Sequence, residues 1–258
     1  IFLKNQTRPI IKLAEASEKF GRGEDLDEFR PSGALEIRKA GQEFDKMRKR
    51  IIRHLNQRSE MLSGISHDLR TPLTRIKLQL AMIKDKNLSK KLSSDVDDME
   101  KMLNEYLQFA STGAKDKTET FDISELILKL INNYSNPNII QNFKEEIYFN
   151  GRKNLIARCI NNLIENSLKY AKKVEISMEK QKDNLMIMVS DDGPGVPEKE
   201  HENIIKPFYK IDKSRSESKS SVGLGLSIAS DISRSHGGDI KFAKSKFGGL
   251  EVSISLPF

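Results

Sequence analysis

Four groups of residues in this 258-residue chain combine the types and spacing that chemistry requires. In SHDLRTPLTRI, Ser66 to Ile76, His67 stands beside Asp68 and four residues before Thr71. A histidine on a helix surface beside a carboxylate is the layout of a phosphoryl-accepting imidazole. Further on, Asn162, Asn166 and Lys169 recur at spacings of four and three, on one face of a single predicted helix. Amide oxygens are hard ligands suited to Mg²⁺, which retains waters and takes phosphate oxygens for the rest of its shell. DDGPGVP, Asp191 to Pro197, follows a predicted strand. Its Gly193 and Gly195 let a backbone approach a ligand, while Asp191 can accept a hydrogen bond from an amine in a closed pocket. The last group begins at KPFYKIDKSR, where Phe208 is an apolar anchor and Lys210 and Arg215 are cations in a Ser-rich loop running to Val222. A basic loop of this kind suits a lid over phosphates. GLGL, Gly223 to Leu226, then opens a helix through His236 whose first N–H groups, at Gly225 and Leu226 among others, can cradle anionic oxygens.

These groups must be held by elements that periodicity identifies. Leu62, Ile65, Leu69, Leu73, Ile76, Leu80 and Ile83 recur at three and four, so they form one helical seam. His67 is two residues from both Ile65 and Leu69, which turns it away from that seam. Pro72 lacks the N–H that would bond the carbonyl of Asp68, so a bend is expected beside the histidine. A charged turn near Lys84 to Lys91 leads into a return helix carrying Leu92, Val96, Met99, Leu103, Tyr106 and Ala110. Two helices cannot enclose a core of their own, so two hairpins are expected to pair into a four-helix bundle in a homodimer.

Upstream, Pro9 suits a first helical turn, and Leu13, Ala16 and Phe20 give a short apolar stripe ended by Gly21. A connector, Gly21 to Gly33, precedes a second helix with Ile37, Ala40, Phe44, Met47 and Ile51. The step of four from Ile51 to Leu55 follows another step of four, a stutter expected to unwind a coiled coil locally before the seam resumes at Leu62. Downstream, Ile123 to Asn133 and Lys153 to Ala171 read as helices, and Val174 to Met178, Leu185 to Ser190, Gly238 to Phe242 and Leu250 to Leu256 as strands. Helices on one face of a mixed sheet make an α/β sandwich. It has no GxxxxGK[ST] motif, so a nucleotide must be held differently.

Composition narrows the class. The apolar content of 37% with 31% charge describes a helix-rich polar protein, and no stretch approaches the roughly 20 apolar residues of a membrane span. The single cysteine, Cys159, fits a reducing compartment and falls on an apolar helix face where core packing is its expected role. The net charge of +7 comes from basic residues mixed with acidic ones, without helix-turn-helix or zinc spacing, so direct binding of nucleic acid is not expected. The opening IFL followed by Lys4, Arg8 and Lys12 reads as the cytoplasmic end of a membrane helix. The chain is therefore expected to be the cytoplasmic portion of a bacterial inner-membrane protein, joined to the membrane through a missing N-terminal part.

SHDLRTPLTRI resembles the H-box of bacterial sensor histidine kinases, closely that of the EnvZ-like osmosensor type. NNLIENSLKY, DDGPGVP, the Phe208 segment and GLGL resemble, in order, the N-box, G1, F-box and G2 motifs of that family. The helix, connector and helix before them, with Pro9 and Glu36 in place, resemble a HAMP signal-relay module. The resemblance covers nearly the whole chain and implies a multidomain α and α+β protein. Its parts would be a HAMP helical module with the end of a membrane helix over 1–57, a dimerisation and phosphoacceptor hairpin over 58–113, and a Bergerat-type α/β sandwich that binds ATP over 114–258. It also implies roles: His67 as phosphoacceptor, Asp68 as the group that orients the ring and takes its proton, and Thr71 as holder of a water for the reverse, phosphatase reaction. Asn166 would be the main Mg²⁺ contact with Asn162 assisting, Lys169 and Tyr170 would face phosphate and base, and Asp191 would read the adenine amine. The partner implied is a response regulator of OmpR type. Two other classes stay open, because gyrase-like and chaperone ATPases carry the same four boxes: a Bergerat-fold ATPase doing conformational work without a phosphohistidine, and a scaffold that does not turn over ATP.

Overall fold

The protein is described from a computed structural model, which covers residues 2–23, 26, 29–83, 85–110, 117–134, 136–211 and 223–258. Its N-terminal half is three helices: α1 (Phe2–Gly21), α2 (Leu35–Ala81) and α3 (Lys86–Ala110). α2 runs for 47 residues, about 70 Å. It runs unbroken past Ile51 and through Pro72, so neither the expected stutter nor the proline ends the helix. Phe44 on α2 makes edge-to-face contacts with Phe20 at 6.1 Å and Phe29 at 5.5 Å, which fastens α1 and the connector to it.

The turn between α2 and α3 is shorter than the charge run implies. Asp85 accepts from the backbone N–H groups of Asn87 and Leu88, so it caps α3 and the helix begins at Lys86. Lys86 to Lys91 is thus a solvated first turn and a half, not a loop. Lys77 of α2 reaches Asp97 at 2.7 Å and Glu100 at 2.5 Å across the hairpin, and Arg70 reaches Asn104 at 3.4 Å. These bonds fix the register of the two helices. The seam is only half covered within one chain: Leu80 is buried, but Ile65, Leu69 and Ile76 are each 38–44% exposed.

From β1 onward the chain builds a two-layer sandwich. The order is β1 (Glu119–Asp122), α4 (Ile123–Asn133), β2 (Ile139–Asn142), β3 (Tyr148–Gly151), α5 (Lys153–Tyr170), β4 (Val174–Gln181), β5 (Asn184–Asp191), a 3₁₀ turn (Glu198–Glu200), α6 (Gly225–Ser235), β6 (Asp239–Lys244) and β7 (Leu250–Pro257). The main sheet is ordered β2-β4-β5-β7-β6, with β2 parallel to β4 and the other pairs antiparallel; β1 and β3 form a separate antiparallel ribbon. Strand alternation sends Val174 and Ile176 of β4, Leu185, Ile187 and Val189 of β5, and Val252, Ile254 and Leu256 of β7 to the helix side. There they meet Ile127 of α4, Ile156, Ile160 and Leu163 of α5, and Ile228 and Ile232 of α6. Cys159 is buried in this layer, its Sγ 3.6 Å from the carbonyl of Ala229, and burial pushes its thiol up to about 12.

His236, at the end of α6, ties that helix to Arg152, the residue between β3 and α5. Its Nδ1 faces the Ile232 carbonyl at 2.8 Å and its Nε2 accepts from the Arg152 N–H at 3.2 Å, a pattern that only the neutral ring satisfies. Burial, helped by the charge of Arg152 and opposed by the Ile232 bond, lowers its pKa from 6.5 to about 4. The folded state therefore binds fewer protons than the unfolded chain between those values. The contribution is complete above pH 6.5 and is lost as pH falls toward 4, by about 3 kcal/mol in all. Urea unfolding of the sandwich at pH 7 and pH 4 should show this loss in the parent and a smaller one in His236→Gln. Equal pH dependence in both would remove His236 from the acid response.

Candidate functional site

His67 and Asp68 stand on the outer side of α2 with side chains 82% and 85% exposed. The helical period that buries Leu80 and half-buries Leu62 and Leu73 sends these two outward. His67 Nδ1 lies 3.4 Å from Asp68 Oδ1, and Thr71 Oγ1 donates toward the His67 carbonyl at 3.4 Å. The imidazole thus has a carboxylate on its Nδ1 side and open solvent on its Nε2 side.

In the sandwich, alternation along β5 carries Asp191 to the helix-facing side directly after Val189, at the carboxyl end of a central strand. It is 4% exposed. Its Oδ1 accepts from the Gly193 N–H at 2.9 Å and the Leu250 N–H at 3.0 Å, which clamps the carboxylate between the DDGPGVP turn and the start of β7. Asp192 does something else: its Oδ1 accepts from the N–H groups of Lys172 and Lys173, the main cause of its lowered pKa, and so holds the α5–β4 turn. Of the two adjacent aspartates only Asp191 is turned inward.

The rest of the predicted set gathers around the same end of the sandwich. Asn162 and Asn166 are half-buried on α5, and a Cβ placed on Gly225 would lie 3.7 Å from Asn162 Oδ1, so the amide faces the first turn of α6. Lys169 Nζ lies 5.0 Å from the centre of the Tyr170 ring, and Tyr170 is half exposed. Gly193 passes so near the Tyr170 carbonyl that a Cβ would stand 3.2 Å from it, and Gly195 takes φ +72° against the Gly248–Gly249 turn. α6 begins at Gly225 after Leu224, and the first N–H groups of a helix have no partner within it. Gly225, Leu226 and Ser227 supply the first of these groups.

Phe208 and Gly223 close the base of the loop between them: the Phe208 N–H donates to the Gly223 carbonyl at 3.0 Å, and both residues have positive φ, +66° and +81°. Gly223 leaves no room for a side chain there, since a Cβ would meet the Tyr209 carbonyl at 3.0 Å. Lys210 is half-buried just inside the loop, whereas Arg215 falls outside the described residues. The Phe208 ring stacks on Tyr106 of α3 at 6.3 Å and 27°. The cross-hairpin register puts Tyr106 about level with Asp68, so the base of this loop meets the hairpin near the height of His67.

Sequence reasoning did not single out Tyr106 as a contact of the sandwich, nor the Leu250 N–H and Gly249 that complete the Asp191 clamp. A Cβ at Gly249 would collide with Asp191 Oδ1. The Gly248–Gly249 pair was a usable signal of a tight approach; Tyr106 carried none, because its spacing matches the seam.

Three family models match the chain: "HAMP domain" over residues 1–53, "His Kinase A (phospho-acceptor) domain" over 57–115, and "Histidine kinase-, DNA gyrase B-, and HSP90-like ATPase" over 151–258. Sensor histidine kinase GtrS of Pseudomonas aeruginosa is 34% identical over 256 residues, covering 98% of this chain and 53% of that protein. Sensor histidine kinase CpxA of Escherichia coli is 29% identical over 269 residues, covering 97% and 58%. The chain spans little more than half the length of these curated relatives. Among solved structures, full-length ShkA in complex with AMPPNP superposes with a TM-score of 0.63 at 21% identity, covering 78% of this chain and 46% of that one. The Acinetobacter baumannii histidine kinase AdeS gives 0.52 at 20% identity, covering 74% and 97%. These two likenesses concern the fold.

Proposed function

Because the chain belongs to the bacterial sensor histidine kinases of two-component systems, we propose that it transfers the γ-phosphoryl group of ATP to His67 and then to an aspartate of a response regulator. The observation that carries this is the exposed His67–Asp68 pair on a hairpin that the base of the nucleotide loop touches at Tyr106. The chain is taken as a HAMP relay over 1–57, a phosphoacceptor hairpin over 58–113 and an ATP-binding sandwich over 114–258, working as a homodimer that covers the half-exposed seam.

The carboxylate beside Nδ1 sets the roles of the ring atoms. Nε2 is the nucleophile: its lone pair forms the N–P bond as the bond from the γ-phosphorus to the bridging oxygen of ADP breaks. The proton left on Nδ1 of the resulting imidazolium passes to Asp68. Asp191 accepts from the adenine amine through Oδ2, since both backbone bonds fall on Oδ1. Phe208 anchors the lid, Lys169 and Tyr170 border phosphate and base, and the first N–H groups of α6 with Lys210 and Arg215 offset the charge of the transferring group. The α5 amides suit Mg²⁺, with Asn166 as the main ligand and Asn162 assisting; the ion would neutralise phosphate charge. Thr71 holds the water for phosphatase action, and a regulator of OmpR type and attachment to the inner membrane through residues preceding this segment complete the reading.

Two measurements test it. Protein incubated with γ-labelled ATP should carry a label that moves to a purified response regulator. Release of free phosphate without labelled protein would instead favour an ATPase doing conformational work. Asp191→Ala should weaken ATP binding about ten- to a hundredfold, since an amine left unpaired in a buried site costs roughly 1 to 3 kcal/mol. GTP should bind poorly to the parent, and comparable affinities for ATP and GTP in calorimetry would reject the adenine role.

A further inference from the structure

α6 has two ends, and only its first turn belongs to the nucleotide site. At the other end the chain's own α1 connector lies against it. Gly23, at φ +71° just past α1, comes so near that a Cβ there would stand 2.9 Å from the Ser235 carbonyl and 3.0 Å from the Arg152 guanidinium. Arg152 is itself buried and donates to the Ser235 carbonyl at 2.6 Å and to its hydroxyl at 2.7 Å, holding the last turn of α6. Arg22, braced by Glu18 at 2.6 Å, passes over Gly237, whose φ is +75°; a Cβ placed there would lie 3.1 Å from Arg22 Cγ. Between the two parts is a cavity of about 90 Å³ lined by Arg22, Phe149, Arg152, His236, Pro257 and Phe258.

Charge favours this seat. The carboxyl end of a helix is its negative end; the Arg152 guanidinium sits on it, and the Arg22 stem crosses over Gly237 beside it. Along the same helix, Asp231 feels the charge of Arg58 from α2. The sandwich therefore meets the rest of the chain near the end of α6 and at the lid base through Tyr106 and Phe208.

We infer that the carboxyl end of α6, with Arg152, is an internal docking face for Arg22 and Gly23, and that this contact holds the ATP-binding sandwich back from turnover. The second half rests on the kinase reading above. A unit that must deliver phosphate to His67 and then leave that histidine open to a regulator has to move as a body, and a tether at its far end restrains it. α1 and the connector are continuous, so a shift of α1 along or about its axis draws Gly23 off Ser235 and frees the sandwich. The nucleotide cradle, at the opposite end of an 11-residue helix, is left intact.

The test uses the full chain carrying Arg22→Cys and Pro257→Cys, which line the same cavity, joined by a short bismaleimide. Cys159 is buried, so it does not compete for the reagent. The expected result is a link within one chain, unchanged ATP affinity, and autophosphorylation about tenfold slower than in the unlinked double variant, a usual size for coupling between sites. Unlinked Gly23→Val, whose side chain collides with Ser235, and Arg22→Ala should both phosphorylate faster than the parent. Failure to link, or links only between chains, would overturn the docking; a linked protein as active as the unlinked one would overturn the restraint. Absence of phosphohistidine in the parent would strike the kinase reading alone, because link yield still decides the docking.

Discussion

His67→Gln is expected to abolish incorporation of phosphate from γ-labelled ATP while leaving ATP binding unchanged. The two parts of the expectation rest on separate structural facts. The imidazole is 82% exposed and its polar partner among the described residues is the equally exposed Asp68, so replacing it removes no packing and leaves no buried group unpaired. A surface substitution of that kind falls within about 0.5 kcal/mol of neutral. Asp191, Asn162, Asn166 and Gly225, which we propose hold the nucleotide, sit on β5, α5 and α6, and none of their described bonds reaches α2. What the substitution removes is the only ring nitrogen beside a carboxylate among the described residues of the hairpin, and a glutamine amide cannot serve as a nucleophile. In the parent the label should be lost in acid and kept in base, as a phosphoramidate is. The assay is label retention after gel separation, with nucleotide affinity measured on the same preparation. Acid-labile label persisting in the variant would move the phosphoacceptor elsewhere.

How much of this was legible beforehand depends on whether one period or one local rule decides the outcome. The inward turn of Asp191 is read directly from β5: hydrophobic residues at 185, 187 and 189 leave the next odd position on the buried side. His67 is legible in the same way from the seam around it. The three short strands were not legible. In β2 only Ile139 is buried, followed by three exposed residues, so there is no alternation to see, and the strand exists because β4 offers its edge in parallel. Among the described residues β1 and β3 pair only with each other, over four residues. The start of α3 was masked by charge: Asp85 reads as part of a polar run, yet its carboxylate caps the helix. Contacts made by backbone or between distant elements leave no pattern either. The Leu250 N–H that holds Asp191 is 59 residues away in sequence, and Arg152 meets His236 across 84. Tyr106 shows the converse limit, since a residue at correct seam spacing can face a different partner once another domain lies beside it.

The second large effect separates two neighbours of the histidine. Asp68→Asn should slow autophosphorylation by roughly a hundredfold or more, the usual range for a general base, equivalent to about 2.7 kcal/mol or more of barrier. Asparagine keeps an oxygen at the position that faces His67 Nδ1, so the ring can hold its orientation; what it loses is the negative charge and basicity that, in the proposed mechanism, accept the proton as the N–P bond forms. Thr71→Ala should behave differently. The hydroxyl donates to the His67 carbonyl one turn back, at 3.4 Å, and alanine is the better helix former, so α2 and the ring stay in place. Attack on the γ-phosphorus needs no hydroxyl there, and autophosphorylation should remain within a few fold. Hydrolysis of the regulator's phosphoaspartate needs a positioned water, so that activity should fall strongly. The measurements are the initial rate of autophosphorylation for each variant and, separately, the decay of purified phosphorylated regulator with ADP and each variant present. If Thr71→Ala lowered both rates in parallel, the change would be acting through the helix next to Pro72, and water positioning would have to be assigned to another group.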